Sequence, residues 1–125
     1  MRIAGFMKTT LLDWPGKIAA EVFAAGCPLG CPFCHNSEIT GCVPDADLIP
    51  EEDVLSFLRQ RAGRGITEGV VVTGGEPLMQ KDAPDFIGRI KEAGYAVKVD
   101  TSGCYPDAVR FLAENGLADF FEMDI

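Results

Sequence analysis

Three cysteines lie close enough together in this sequence to bind one metal centre. Cys27, Cys31 and Cys34 fall within eight residues, in the spacing Cys-x3-Cys-x2-Cys. Each thiolate can take one iron of a [4Fe–4S] cluster, which leaves the fourth iron without a protein ligand. An open coordination position is what a catalytic metal site needs and a structural site lacks. Glycines and prolines between and before these cysteines suit a loop bent tightly around a cluster.

Three other interpretations of these cysteines remain open on the residues alone. Cys31-x-x-Cys34-His35 has the form of a c-type haem attachment site, although haem attachment follows export and the N-terminal segment does not resemble an export signal. A structural zinc ion could use the three cysteines with His35 or Cys42, although neighbouring Cys34 and His35 would rarely both reach one tetrahedral ion. The cysteines could also bind nothing. Cys42 and Cys104 stand apart, and we expect them to be small thiols without a ligand.

Three further segments carry polar or glycine residues at the ends of predicted strands: Thr73-Gly74-Gly75-Glu76-Pro77, Asp100-Thr101-Ser102-Gly103 and Glu122-x-Asp124. The two glycines allow the backbone to approach a ligand closely, and Glu76 can accept a hydrogen bond from an amino group. Each segment could equally be a tight strand exit, a solvated strand end or a helix cap. Active sites of barrels and open α/β sheets form where parallel strands end, so we expect these segments and the cysteine loop on one rim.

The elements that must position these residues alternate between strands and helices. Strands are predicted at 18–23, 69–73, 96–99 and 120–124, and helices at 51–62, 82–93 and 106–115. The turn Asp13-Trp14-Pro15-Gly16 precedes the first strand, and a long connection at 24–50 carries the cysteines. This order predicts an α/β fold with about four parallel strands and helical crossovers. A doubly wound sheet and a partial (β/α) barrel both remain open, and Glu21 inside an apolar strand indicates a polar interior or an edge.

Composition narrows the class of protein. The 125 residues fit one domain, and 47% hydrophobic with 24% charged residues is typical of a globular chain. A net charge of −8 argues against nucleic-acid binding, which needs basic surface. No stretch approaches the roughly 20 apolar residues of a membrane helix, so we expect a cytoplasmic protein. We expect a single, partial domain over 1–125, because the sequence ends at a strand with no helix after it.

The motifs resemble those of the radical S-adenosylmethionine (radical SAM) superfamily. The cysteine spacing, with Phe33 before the last cysteine, carries the general resemblance. The stretch Lys8-Thr9-Thr10-Leu11-Leu12-Asp13-Trp14-Pro15-Gly16-Lys17 and the triplet Cys34-His35-Asn36 resemble more narrowly an activating enzyme for a glycyl-radical enzyme. The kinds that it resembles are the anaerobic ribonucleoside-triphosphate reductase activating protein and the pyruvate formate-lyase activating enzyme. The resemblance covers the whole chain but only the N-terminal half of the family's usual length, and it implies a partial (β/α) barrel of the radical SAM type.

This resemblance implies cofactors and the residues that hold them. A [4Fe–4S] cluster would be bound by Cys27, Cys31 and Cys34, with S-adenosylmethionine on its open iron. S-adenosylmethionine would also contact Phe33 and two of the strand-end segments, at Gly74, Gly75, Glu76, Pro77, Asp100, Thr101 and Ser102. A monovalent cation would be held by Asp100, Thr101, Asp124 and the backbone carbonyl of Glu122, where the family more usually has an apolar residue. A lysine common in the family after the last of these strands would lie beyond Ile125.

The resemblance also implies a reaction and partners. An electron from flavodoxin or ferredoxin would cleave S-adenosylmethionine at the cluster, and the 5′-deoxyadenosyl radical would install a glycyl radical on a partner enzyme. Two alternatives remain. The chain could be a non-catalytic fragment, a metal-free or zinc-binding scaffold that self-associates through exposed sheet edges. It could also be a radical SAM enzyme that acts on a small substrate.

Overall fold

A computed structural model describes residues 1–10, 14, 16–25, 48–62, 67–74, 76–103 and 105–123. Its elements alternate as the sequence predicts, after one additional strand at the N-terminus. Five strands are described: β1 (Ile3–Thr10), β2 (Ala19–Ala24), β3 (Gly69–Gly74), β4 (Ala96–Thr101) and β5 (Phe120–Met123). Three α-helices cross between them: α1 (Glu51–Arg61), α2 (Ala83–Glu92) and α3 (Pro106–Glu114). A short 3₁₀ helix, Pro77–Met79, follows β3.

The five strands form one sheet in chain order. Strands β2 to β5 pair in parallel, which confirms the predicted α/β fold with four parallel strands. Strand β1 is the addition: it pairs antiparallel with β2 and lies at the edge of the sheet. Its pairing is irregular, with register shifts between Ile3 and Gly5 and between Met7 and Thr10. A strand with such irregularities lacks the clean alternation by which a half-buried strand is recognised in a sequence.

Two predicted strands extend further than their apolar runs. Strand β3 continues to Gly74, which pairs with Ala24, and β4 continues to Thr101, which pairs with Met123. The polar residues at these ends therefore belong to the sheet, and pairing with the neighbouring strands holds their backbone in place. The helices begin or end within two residues of their predicted limits, and strand β2 lies one residue later than predicted.

One face of the sheet packs against the helices. Alternate residues of the parallel strands bury their side chains there, among them Val22, Val72 and Val99. The helices contribute an apolar stripe each to the same core, centred on Leu55 and Leu58 in α1, Phe86, Ile87 and Ile90 in α2, and Leu112 in α3. Among the described residues, none of the helices is long and apolar enough to cross a membrane.

The opposite face of the sheet carries the charged residues of the parallel strands beside apolar ones such as Val71. We call it the polar face, after Glu21, Thr73, Lys98, Asp100 and Glu122. These residues alternate with the core residues, so strand geometry directs them away from the helices. Glu21 and Lys98 are both 4% exposed, and each lies opposite Val71 on the intervening strand. The interruption of an apolar strand by Glu21 thus marks a polar interior, one of the two positions that the sequence allows.

Candidate functional site

The turn after β3 depends on a glycine that lies directly against the backbone of β2. Gly74 has a φ of +108°, a conformation that L-residues with side chains rarely adopt. A Cβ at this position would lie 2.4 Å from the amide nitrogen of Ala24 and 2.6 Å from its carbonyl oxygen. Gly74 therefore lets the end of β3 pass directly against the end of β2, the strand that leads into the cysteine segment. Gly75 lies outside the described residues.

The carboxylate of Glu76 is fully buried at the ends of β3 and β4. Its Oε1 accepts hydrogen bonds from the Thr101 hydroxyl (2.8 Å), the Ser102 amide (2.7 Å) and the Ser102 hydroxyl (2.5 Å). Its Oε2 accepts from the Leu78 amide (3.0 Å) and lies 3.0 Å from the Thr101 hydroxyl. Two backbone amides and two hydroxyls thus satisfy this buried charge, as burial requires. The carboxylate fastens the loop after β3 to the end of β4.

The same contacts shape the loop after Glu76. Its bond to the Leu78 amide caps the 3₁₀ helix, and Pro77, buried at the first position of that helix, has no amide hydrogen to leave unpaired. Thr101 is nearly fully buried, and its hydroxyl oxygen also accepts a hydrogen bond from the Gly103 amide at 3.2 Å. The segments 76–79 and 101–103 consequently form one hydrogen-bonded unit.

A charged cluster occupies the polar face next to this unit. The Lys98 ammonium lies 2.6 Å from Glu122 Oε2 and 3.4 Å from Asp100 Oδ1. Burial raises the pKa of Asp100 to about 6, against the lowering effect of Lys98, and the nearby Glu122 adds to the rise. Burial would lower the pKa of Lys98, but the hydrogen bond from Lys98 to Glu122 and the charge of Asp100 outweigh it and raise that pKa. Lys98 is therefore a buried cation at neutral pH.

Asp100 keeps one acceptor oxygen without a hydrogen-bond donor. Its Oδ1 is buried and, although it lies near Lys98, makes no hydrogen bond. An unsatisfied buried acceptor of this kind is rare in native proteins and indicates a place for a donor or a cation. Asp100 precedes the end of β4 by one residue, and its side chain lies on the polar face with Lys98 and Glu122.

The structure brings together the described part of the predicted site. Gly74, Glu76 and Pro77 lie at the end of β3, and Asp100, Thr101 and Ser102 at the end of β4. Asp100 and Thr101 belong to opposite faces of the sheet, because neighbouring strand residues alternate. The remaining predicted ligands and contacts lie outside the described residues: Cys27, Cys31, Phe33, Cys34, Gly75 and Asp124. Glu122 is described, in β5 opposite Asp100.

Lys98 is a charged residue next to the candidate site that the sequence motifs do not name. A signal was available, since Lys98 interrupts the run Ala96-Val97-Lys98-Val99 as Glu21 interrupts its own strand. A lysine at the centre of a buried strand needs a partner of opposite charge, and Asp100 two residues later lies on the same face.

A parallel sheet with glycine and acidic residues at the adjoining ends of its strands is typical of α/β domains whose sites form at that rim. Residues 22–125 match the family described as the radical SAM superfamily, so the chain belongs to that superfamily. The cysteine spacing and the Gly-Gly-Glu-Pro segment that suggested the resemblance both fall within the matched range.

Known relatives bear out the narrower resemblance. A Methanocaldococcus jannaschii protein, assigned by its name to glycyl-radical enzyme activation, is 33% identical over 98% of this chain and 49% of its own length. The pyruvate formate-lyase-activating enzyme of Clostridium pasteurianum is 34% identical over 82% of this chain and 43% of its own. The chain thus spans about half the length of these relatives.

A solved structure supports the fold. The crystal structure of QueE from Escherichia coli aligns with a TM-score of 0.63 at 22% sequence identity. The alignment covers 82% of this chain and 52% of that one. At this level of identity the likeness concerns the fold alone.

Proposed function

We propose that this chain forms the cofactor-binding half of a radical SAM activating enzyme, an oxidoreductase that installs a glycyl radical on a partner protein. The observation that carries the proposal is the hydrogen-bonded unit at the ends of β3 and β4, placed beside the strand that leads into Cys27, Cys31 and Cys34. Both relatives at 33–34% identity are named for activating enzymes, which favours this reaction over others in the superfamily.

The described residues fit S-adenosylmethionine as a ligand. This molecule carries a sulfonium and an amino group, both positive, and the buried Asp100 Oδ1 offers an acceptor that lacks a donor. Glu76 acts as a positioning residue: its carboxylate is taken up by protein donors, and it holds the backbone of the Gly-Gly-Glu-Pro segment against β4. That backbone would then lie at the rim, where the amino and carboxylate groups of the ligand would bind.

The three clustered cysteines would hold the [4Fe–4S] cluster as thiolates, in the order in which they follow β2. When bound, the cluster and S-adenosylmethionine supply the electron and the 5′-deoxyadenosyl radical for hydrogen abstraction from a glycine. The protein orients both and excludes water. We propose flavodoxin or ferredoxin as the electron donor and a glycyl-radical enzyme, such as anaerobic ribonucleotide reductase, as the partner.

Replacement of a cluster ligand tests this assignment. Cys34→Ala should keep the fold, because buried residues of the described strands and helices form the core that holds the sheet, and should lose most of the iron and sulfide after anaerobic reconstitution. Cys104→Ala is the matched control, since we expect that thiol to bind nothing, and it should load like the wild type. Full iron loading of Cys34→Ala, with an unchanged spectrum, would refute the ligand set.

A small-molecule substrate is the second candidate. The 7-carboxy-7-deazaguanine synthase of Synechocystis, a relative named for a small product, is 32% identical over 74% of this chain and 42% of its own length. The polar face would then line a substrate cavity. A partner enzyme deuterated at the Cα of its glycine would distinguish the two functions. Deuterium from the glycyl Cα enters 5′-deoxyadenosine only if the partner is the hydrogen donor.

An exposed sheet edge favours self-association as a third property of this chain. Phe120 and Met123 in β5 are 54% and 52% exposed, and β5 lies at the edge of the described sheet. An exposed apolar edge strand is a template for pairing with another chain. Light scattering is the test: a dimer would support edge pairing, and a strict monomer would refute it.

A further inference from the structure

The polar face buries a lysine between two carboxylates. Lys98 extends from the centre of β4, with its side chain 5% exposed, and meets Glu122 of β5 and Asp100 of its own strand. The Asp100 side chain is 15% exposed, so at least two of these three charges are largely removed from water. Ions in such a position are stable only when they compensate one another.

We propose that the Lys98 ammonium is the resident cation of the Asp100 and Glu122 carboxylates, and that it serves in place of a bound monovalent metal ion. The proposal goes beyond the function proposed above and does not depend on it. Lys98 is a positioning residue here: it orients Asp100 at the rim and ties β4 to β5.

The described side-chain oxygens near Asp100 already have partners. The Thr101 hydroxyl donates to Glu76, accepts from the Gly103 amide, and belongs to the sheet face opposite that of Asp100. The Glu122 carboxylate accepts from Lys98, and Asp124 lies outside the described residues. Asp100 Oδ1 has Lys98 as its ion-pair partner at 3.4 Å.

Charge argues in the same direction. A metal ion on Asp100 would stand a few ångströms from the Lys98 ammonium, and like charges repel strongly where water is largely excluded. Lys98, Asp100 and Glu122 carry a net charge of −1 when all three are ionised, so the cluster already holds its own compensating cation.

The test is the thermal unfolding midpoint of the full chain, measured in potassium chloride and in choline chloride at equal ionic strength. The wild type should unfold at the same temperature in both salts. Lys98→Met keeps the length of the side chain and removes its charge. Its midpoint should fall by more than about 5 °C in choline, and potassium should recover part of the loss by binding the exposed carboxylates. Adding Asp100→Asn to Lys98→Met should abolish this potassium effect.

A lysine outside the cluster is the matched control. Lys91 forms a 2.7 Å ion pair with Asp119 at a more exposed position. The unfolding midpoint of Lys91→Met should fall less than that of Lys98→Met and should be the same in potassium and in choline.

The proposal is overturned if potassium raises the midpoint of the wild type above its value in choline and Asp100→Asn removes that effect, since a metal ion would then bind beside the lysine. It is also overturned if Lys98→Met is as stable as the wild type or does not respond to potassium. If Lys98→Met does not fold, the difference in midpoint between potassium and choline, measured for the wild type and for Asp100→Asn, still shows whether a metal ion binds at Asp100.

Discussion

A methyl group at position 74 is expected to be among the most damaging single changes to the rim. In Gly74→Ala the new Cβ meets the Ala24 backbone at 2.4 and 2.6 Å, where no side-chain rotation can relieve the contact. The φ of +108° adds backbone strain of about 1–3 kcal/mol. The displacement of β3 from β2 adds a comparable amount, about 1–3 kcal/mol. The total, roughly 2–6 kcal/mol, is a large part of the 5–15 kcal/mol that typically stabilises a domain.

Urea unfolding of Gly74→Ala and Gly94→Ala separates the two contributions. Gly94 has a similar φ of +99°, but nothing lies within 4 Å of the position its Cβ would take. Gly94→Ala should therefore be destabilised by the backbone strain alone. Its urea midpoint should exceed that of Gly74→Ala by about 1 M. Equal midpoints for the two variants would refute the argument that Gly74 is required for the close approach of β2 and β3.

Two further predictions concern groups that join separate strands. Glu76→Gln places an amide donor among the donors that surround the carboxylate. It should lower the free energy of unfolding, measured by chemical denaturation, by about 2–4 kcal/mol. A loss smaller than that of the exposed control Glu114→Gln would contradict the buried network. Asp119 accepts hydrogen bonds from Lys91 and the Val97 amide, which outweigh the effect of burial and hold the pKa of Asp119 below its ordinary value of 3.8. Its stabilising effect is therefore present above pH 3.8 and is lost as the pH falls through the lowered pKa, so Asp119→Asn should reduce stability at pH 7 and flatten the acid limb of the stability profile. An unchanged acid limb in Asp119→Asn would refute that assignment.

The sequence predicts the parallel part of this fold well because its signals are local. The apolar runs of β3 and β4 and the 3.6-residue period of α2 each follow from neighbouring residues. Strand β1 was not predicted, since it is held by pairing with β2 and by irregular register, neither of which leaves a local pattern. Its exposed residues Met7 to Thr9 also obscure any alternation.

The position of the candidate site residues in the fold is more predictable than their contacts. Gly74, Glu76 and Asp100 are named by sequence motifs at strand ends, and they do lie at adjoining strand ends. The sequence does not reveal that the Glu76 carboxylate is used up by Thr101 and Ser102, because those bonds join residues 25 and 26 positions apart. The ion pair of Lys98 with Glu122 is not predictable from local sequence for the same reason, because Glu122 lies in β5, 24 residues away.

The most direct test of the proposed function is low-temperature electron paramagnetic resonance of the anaerobically reconstituted, reduced protein, with and without S-adenosylmethionine. A [4Fe–4S]⁺ signal that changes shape when S-adenosylmethionine is added is the predicted result, because it requires an open iron and a cofactor site within these 125 residues. A cluster signal that ignores the cofactor would contradict the assignment of the β3 and β4 rim as its binding site. The absence of any cluster signal would contradict the radical SAM function proposed for this chain.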